Sequence, residues 1–472
     1  MVRTHAKPAF DIAVIGAGVV GCAMARRFAL AGAAVAVFEK AADILDGASK
    51  ANSAILHTGF DAPTGSLEQK LVRRGYREYE KLHASFRLPL KRPGALVVAW
   101  THEQEDKLER VVDQAHENGV DDVRLVSRAA LLKREPNLSS RARAAALVPG
   151  EALIDPWSAP YSYLAQAIEQ GARLFRQTPV TGGTFDGRVW NLKTPQGLFR
   201  TRVVINCAGL YGDLLEQGLL GQCHFTIKPR KGQFVVFDKA AHELIESIIL
   251  PVPTERSKGV LICRTVFGNL LVGPTAEDQN SRSDTGVSRR QLEKLIEFGR
   301  ARIPKLADMP VTATYAGIRP ASERKDYRLQ FYREHNWIVV GGIRSTGLTA
   351  ALGIADYVYD QFEAAFSADR DWQPRDAPPP RQVPRLDQAD ERDWMLPDNG
   401  GIVCHCEQVT RREVDRALQG PLAAQSLAGL KRCTRVAMGR CQGFYCVARL
   451  AELTEGKLTE PFVESLPGQP AE

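Results

Sequence analysis

Four cysteines near the C-terminus are spaced for metal chemistry: Cys404 and Cys406 in C-H-C, then Cys441 and Cys446 in C-Q-G-F-Y-C. Two short loops that each supply two soft thiolates can close a four-thiolate site holding zinc or an iron–sulfur cluster. Zinc sites favour longer spacings than C-x-C, so one arm fits zinc poorly, but spacing alone leaves both centres open. Lys431, Arg432, Arg435, Arg440 and Arg449 surround the second pair. They would offset the negative charge of either centre.

At the other end of the chain, Gly16, Gly18 and Gly21 form G-x-G-x-x-G between an apolar run at 11–15 and a helical stretch at 19–30. A second strand, 34–38, ends at Glu39. Gly16 permits the tight turn, Gly18 lets a pyrophosphate approach the helix N-terminus, and Gly21 lets helix and strand pack closely. Glu39 is placed to accept hydrogen bonds from a ribose diol, with Ala17 in the turn and Lys40 beside the acid completing the expected dinucleotide contacts. The fingerprint does not separate FAD from NAD. No second copy stands in a strand-to-helix context, so if this site holds FAD, electrons leave by another route.

The elements that position these residues belong to a globular chain of 472 residues, 44% hydrophobic, long enough for two or three structural units. Its net charge of +7 comes from interspersed Lys, Arg, Asp and Glu, which describes a solvated surface and not a nucleic-acid-binding face. No secretory h-region precedes the first strand, and no stretch approaches the roughly 18 apolar residues of a membrane span. The protein is expected to be cytoplasmic, where clustered thiols stay reduced and serve metals. Residues 367–400 are rich in proline and charge and read as a linker or strap. In 401–472, Thr410-x-x-Glu413 is a capping box, Ser426 caps a second helix, and a third begins around Gln442. Such short helices bury little surface, so a metal centre is a plausible organiser of the unit.

Between the two ends, SKANSAILHTGFD (49–61) resembles a segment of bacterial glycerol-3-phosphate oxidases and their dehydrogenase relatives, within the D-amino-acid-oxidase-like flavoproteins. The resemblance continues through ALIDPWSAPYSYLAQA (152–167), VVINCAGLYGD (203–213), IKPRKGQFVVFDK (227–239), SKGVLICRTVFGNLLVGPT (257–275), AGIRPAS (316–322) and GIRSTGLTAALGIA (342–355). It implies an α/β fold: a Rossmann-type FAD-binding domain with an inserted α+β substrate domain, together covering 1–366. The FAD-binding parts are expected at about 8–90, 150–215 and 320–366, and the substrate-binding parts at about 91–149 and 216–319. It further implies that Ser49, Asn52 and Ser53 contact the flavin and that His57 takes the hydroxyl proton of an alcohol, as an imidazole near neutral pH can. Val180, Ala208 and Gly209 are expected to make backbone contacts. Gly342, Ser345, Gly347, Leu348 and Thr349 are expected at the pyrimidine edge of the ring. Arg319 would hold an anionic group and Lys258 would steady the alkoxide.

The C-terminal stretch, V-C-H-C-E-Q-V-T and then L-K-R-C-T-R-V-A-M-G-R-C-Q-G-F-Y-C, resembles the bacterioferritin-associated-ferredoxin-type [2Fe-2S] module, with Cys404, Cys406, Cys441 and Cys446 at its ligand positions. Cys433 falls where another residue is usual and reads as a spare buried thiol. Other departures are Ala54 in place of a glycine, Arg264, and Arg344 with Thr346 in the S-x-G-L-T region; the two arginines would add cations near the pocket. The expected activity is oxidation of sn-glycerol 3-phosphate to dihydroxyacetone phosphate by hydride transfer to flavin. The alternatives are a 2-hydroxy acid such as 2-hydroxyglutarate, an amino or imino acid, or an electron-transfer subunit with a vestigial flavin site. Electrons would pass through the cluster to an electron-accepting subunit or quinone-linked carrier, with any membrane association made through that partner.

Overall fold

A computed structural model describes residues 9–253, 259–366, 372–380, 383–387 and 392–460. The architecture is α/β, built on two large sheets and a small C-terminal unit. In the first sheet β1 (Phe10–Ile15) lies between β2 (Val35–Phe38) and the strand Gly197–Asn206, all parallel. Arg173–Phe175 extends the β2 side, and Trp337–Gly341 joins the other side in parallel. β1 and β2 are almost wholly buried, as expected where helices cover both faces of a parallel sheet. Helix α1 (Val19–Leu30) packs against helices Ser158–Glu169 and Gly347–Phe366. At the turn into α1, Gly16 has φ +104, and a Cβ there would stand 2.5 Å from the Cys207 carbonyl oxygen. A Cβ at Gly21 would stand 1.9 Å from the Gly16 carbonyl oxygen, so only glycine lets helix and strand meet this closely.

The second sheet has nine strands and is mixed. Its spine is the long antiparallel pair Ile227–Phe237 with Val311–Ser322. The parallel pairing of Ala95–Ala99 with Ile248–Pro251 joins it to a distant part of the chain. A separate three-stranded sheet of Ile55–Leu56, Ala152–Ile154 and Leu90–Lys91 sets the start of the 57–58 segment beside residue 151.

Residues 372–380 lie along the first sheet's helices. Trp372 stacks on Phe362 at 5.9 Å, and Arg375 N donates to the Leu30 carbonyl. The C-terminal unit carries strands Ile402–Cys404 and Val409–Thr410 and helices Arg411–Ala417, Leu427–Thr434 and Val447–Thr454 around Val409, Val414, Leu430, Val436 and Leu450. The Thr410–Glu413 capping box is formed in both directions, and Ser426 caps the second helix through Gly429 N. The third helix starts at Val447, later than the Gln442 expected from sequence. Gln442 (φ +50) and Gly443 (φ +95) turn the backbone out of helical geometry there. Among the described residues, no helix is long and apolar enough to cross a membrane.

Candidate active site and cysteine centre

The glycine turn, the end of β2 and two further segments meet at one place. Glu39 is buried; its Oε2 accepts from Ala17 N at 2.8 Å and its Oε1 from Ala41 N at 3.0 Å, while burial pushes its carboxyl pKa up. Thr178 N donates to the Glu39 carbonyl, which draws the segment ending at Val180 alongside. Cys207 N donates to the Ile15 carbonyl, so Ala208 and Gly209 follow directly beside Gly16. Ser49 Oγ accepts from Val19 N at 3.0 Å and seats the 48–50 turn over the start of α1. Lys40 Nζ lies 3.6 Å over the ring of Tyr211, two residues past Gly209. A glycine cradle that side chains would fill, at the N-terminus of a helix with no acid in its first turn, fits a pyrophosphate.

His57 is held from two sides. Its backbone N donates to Thr349 Oγ1 at 3.0 Å, and its Nδ1 is 2.8 Å from Glu151 Oε2. Glu151 is fully buried, and its Oε1 accepts from Thr58 N at 2.6 Å and Thr58 Oγ1 at 2.9 Å. A buried carboxylate facing Nδ1 fixes the tautomer with the proton on that nitrogen, so Nε2 is the basic one. Glu151 was not legible from sequence motifs. The antiparallel register Ile55↔Leu153, Leu56↔Ala152 brings it to His57, and that pairing appears only in the fold.

Asn52, Arg319 and their neighbours meet on one face of the second sheet. Tyr315 OH donates to the Asn52 carbonyl at 2.8 Å, and Cys263 Sγ lies 3.8 Å from the Ser53 carbonyl. Two residues further along, Gly317 lies against Ala51: a Cβ there would stand 2.6 Å from Ala51 Cβ. Two residues beyond that, Arg319 Nη2 donates to the Thr275 carbonyl at 3.2 Å, with Arg230 directly opposite on the partner strand. No carboxylate among the described residues pairs with Arg319. Burial, and then the Arg230 charge, pull its pKa below the ordinary guanidinium range, down to about 10. Lys258 lies outside the described residues. Gly342 is buried, Ser345 is exposed, Gly347 opens the helix to Phe366 and Leu348 is half-buried, leaving Thr349 as the member of that set joined to His57.

The expectation that Arg344 adds a pocket cation is corrected. Its Nη2 bonds Glu68 Oε2 at 3.0 Å and also the Lys325 carbonyl, and Glu68 is buried. Thr346 Oγ1 donates to the other Glu68 oxygen at 2.8 Å, so both departures from the family pattern serve one network. Arg264 Nη1 is 3.1 Å from His242 Nε2. Ala54 has φ +59, a left-handed conformation in which glycine is unstrained.

Cys404, Cys406, Cys441 and Cys446, with His405 and Tyr445, line a recess of about 350 Å³. The thiols meet as two pairs, Cys404 with Cys446 and Cys406 with Cys441. Among the described residues, no three His, Cys, Asp or Glu close around a single ion. Paired thiols around a roomy recess fit a two-iron centre, in which each iron takes two thiolates. The backbone amides of Tyr445, Gly443 and Phe444 point at Cys441 and pull its pKa down, while burial pushes the Cys446 thiol up to about 12. Cys433 is outside this recess; it contacts the Tyr161 hydroxyl, and burial pushes it up to about 11.

Comparison with known proteins agrees with both centres. The FAD-dependent oxidoreductase family model matches residues 11–361, and the BFD-like [2Fe-2S] binding domain model matches residues 402–455. The chain is 31% identical over 455 residues to a glycerol 3-phosphate dehydrogenase of Caloramator mitchellensis, covering 95% of this chain and 94% of that one. It is 27% identical over 376 residues to a glycerol 3-phosphate oxidase of Mycoplasma genitalium, covering 77% and 97%. The dithionite-reduced L-alpha-glycerophosphate oxidase of Mycoplasma pneumoniae, solved with FAD bound, superposes with TM-score 0.72 at 25% identity, over 80% of this chain and 99% of that one. The chain therefore belongs to the FAD-dependent oxidoreductase family, as a glycerol-3-phosphate-dehydrogenase-like enzyme that takes FAD and carries a C-terminal [2Fe-2S] domain.

Proposed function

We propose that the enzyme oxidises sn-glycerol 3-phosphate to dihydroxyacetone phosphate. The observation that carries this reading is Arg319, a largely buried guanidinium without a carboxylate partner among the described residues, on the sheet face that packs on the 51–52 loop. A buried cation of this kind calls for an anionic ligand, and its planar fork suits a phosphate. His57 takes the C2 hydroxyl proton at Nε2, while Glu151 accepts the Nδ1 proton in a hydrogen bond and stabilises the imidazolium that forms. Arg319 holds the phosphate, and Lys258 steadies the alkoxide. Ser49, Asn52 and Ser53 shape the loop on which the isoalloxazine rests. Bound FAD supplies the hydride acceptor and the cluster a one-electron outlet. The final acceptor is a partner protein or quinone-linked carrier, and any association with a membrane is made through it.

Anaerobic bleaching of the flavin band tests the substrate. Glycerol 3-phosphate is expected to bleach it, and 2-hydroxyglutarate and amino acids to leave it oxidised. Bleaching by a hydroxy acid and none by glycerol 3-phosphate would overturn the assignment.

A further inference from the structure

Each cysteine loop is tied, through the residue next to a ligand position, to the same dipeptide just past the second sheet's strand Ile227–Phe237. Glu407, directly after Cys406, is buried and lies 3.4 Å from Lys239 Nζ. Arg440, directly before Cys441, makes a forked pair with Asp238 at 2.9 and 2.7 Å. The signs are crossed, acid to base and base to acid. A slip of one residue would set like charges face to face, so the arrangement specifies register as well as attraction. Asp238 is held for this role by Thr312 Oγ1 and Ala240 N, both at 3.2 Å.

A second line of contacts runs from the same loops toward the expected flavin. Arg435 binds Glu407 Oε2 through Nε at 2.9 Å and lays its guanidinium 4.0 Å over the Phe267 ring. Phe267 stacks on Trp157 at 5.7 Å with planes 14° apart, and Trp157 Nε1 donates to the Lys50 carbonyl at 3.4 Å. Lys50 lies between Ser49 and Asn52, in the loop assigned to the isoalloxazine. The path from cysteine loop to flavin loop is thus contiguous: Cys406, Glu407, Arg435, Phe267, Trp157, Lys50.

We propose that the crossed ion pairs Asp238–Arg440 and Lys239–Glu407 are a clamp that docks the [2Fe-2S] domain against the second sheet, with Arg435, Phe267 and Trp157 bridging it to the flavin loop. This rests on the proposed passage of electrons from flavin to cluster. Two electrons reach the flavin with each hydride, and both cross the seam singly and leave to an external one-electron acceptor.

The test uses the full chain with both cofactors and the variants Asp238→Arg, Arg440→Asp and the charge-swapped double. The Arg440 side chain is 68% exposed, so its replacement leaves the fold intact. Amide exchange across 404–446 is measured, together with the rate of cluster bleaching after the flavin is reduced by light without oxygen. Each single variant is expected to accelerate exchange about tenfold and slow cluster bleaching by a similar factor, with flavin photoreduction unchanged. The double variant is expected to recover both. Single variants matching wild type, or a double variant no better than the singles, would overturn the clamp. Loss of iron from Arg440→Asp but not from Asp238→Arg would overturn it too, by assigning Arg440 to the ligand loop alone. Because light replaces substrate, failure of glycerol 3-phosphate to bleach the flavin would defeat the substrate assignment and leave this test standing.

Discussion

Replacing Arg319 by methionine should make the ligand-free enzyme more stable and abolish its turnover. A fall in pKa from the ordinary guanidinium range to about 10 corresponds to about 3 kcal/mol spent on keeping the guanidinium charged in its packed place. The unfolded state holds this proton more tightly, so the penalty is complete at every pH below about 10 and shrinks as pH rises above it. Methionine keeps much of the volume, removes the charge beside Arg230, and loses the bond to the Thr275 carbonyl, about 1 kcal/mol. The net expectation is about 1–2 kcal/mol of stabilisation, in line with buried ions replaced by apolar isosteres. In a chain of 472 residues that moves the thermal midpoint by only about 2 °C, so urea titration at neutral pH in phosphate-free buffer is the better assay. Added inorganic phosphate should stabilise the wild type and leave the variant unmoved. A variant less stable than wild type by more than about 1 kcal/mol would show that Arg319 is a structural cation, and the reasoning from its missing partner would fail.

Glu151→Gln keeps the shape of the His57 contact but removes the charge that favours the imidazolium; flavin bleaching by substrate should slow about a hundredfold with FAD content unchanged. Ala54→Gly should raise stability by about 0.5–1 kcal/mol in urea titration, because relief at φ +59 exceeds the entropy that glycine adds to the unfolded chain. Cys433→Ala should retain the full iron and sulfide content and the cluster's visible band, whereas Cys446→Ala should lose them. The Arg440 fork holds the Asp238 carboxyl down at about 2, below its ordinary 3.8, so its part in docking is complete above about pH 4 and fades as pH falls toward 2. Small-angle scattering at fixed ionic strength should show the domain loosening over that window, and Asp238→Asn should lack the transition.

The features that announced themselves in sequence are local. The βαβ unit could be read because its glycines, its 3.6-residue helix period and its terminal acid lie within 30 residues of one another, and the cysteine loops because thiols at such spacings serve few other purposes. What depended on distant pairing was hidden. Glu151 meets His57 only because Ile55–Leu56 pairs with Ala152–Leu153. Arg344 reads as a free cation until Glu68, 276 residues away, is found holding it. The nine-stranded order of the second sheet likewise rests on contacts between remote segments, such as Ile248 with Ala95, which no local period encodes.

The segment between Glu39 and Ser49 shows why the docking of the C-terminal domain was the hardest feature to foresee. Its ends meet the glycine turn, Glu39 through Ala17 N and Ser49 over the start of α1. Its middle serves the other domain: Asp43 accepts from Ser426 Oγ at 2.6 Å and Gln425 N at 3.0 Å, and Asp46 pairs with Arg432 at 3.3 Å. By itself the stretch reads as an ordinary acidic loop, since no property of Asp43 names a partner 383 residues later. Yet Asp43 is 3% exposed, and a buried carboxylate deprived of its donors is costly. The cofactor loop and the domain seam are therefore one continuous strip of backbone. A displacement of the C-terminal domain that breaks the Asp43 and Asp46 contacts therefore acts on the same stretch of backbone that carries Glu39 and Ser49.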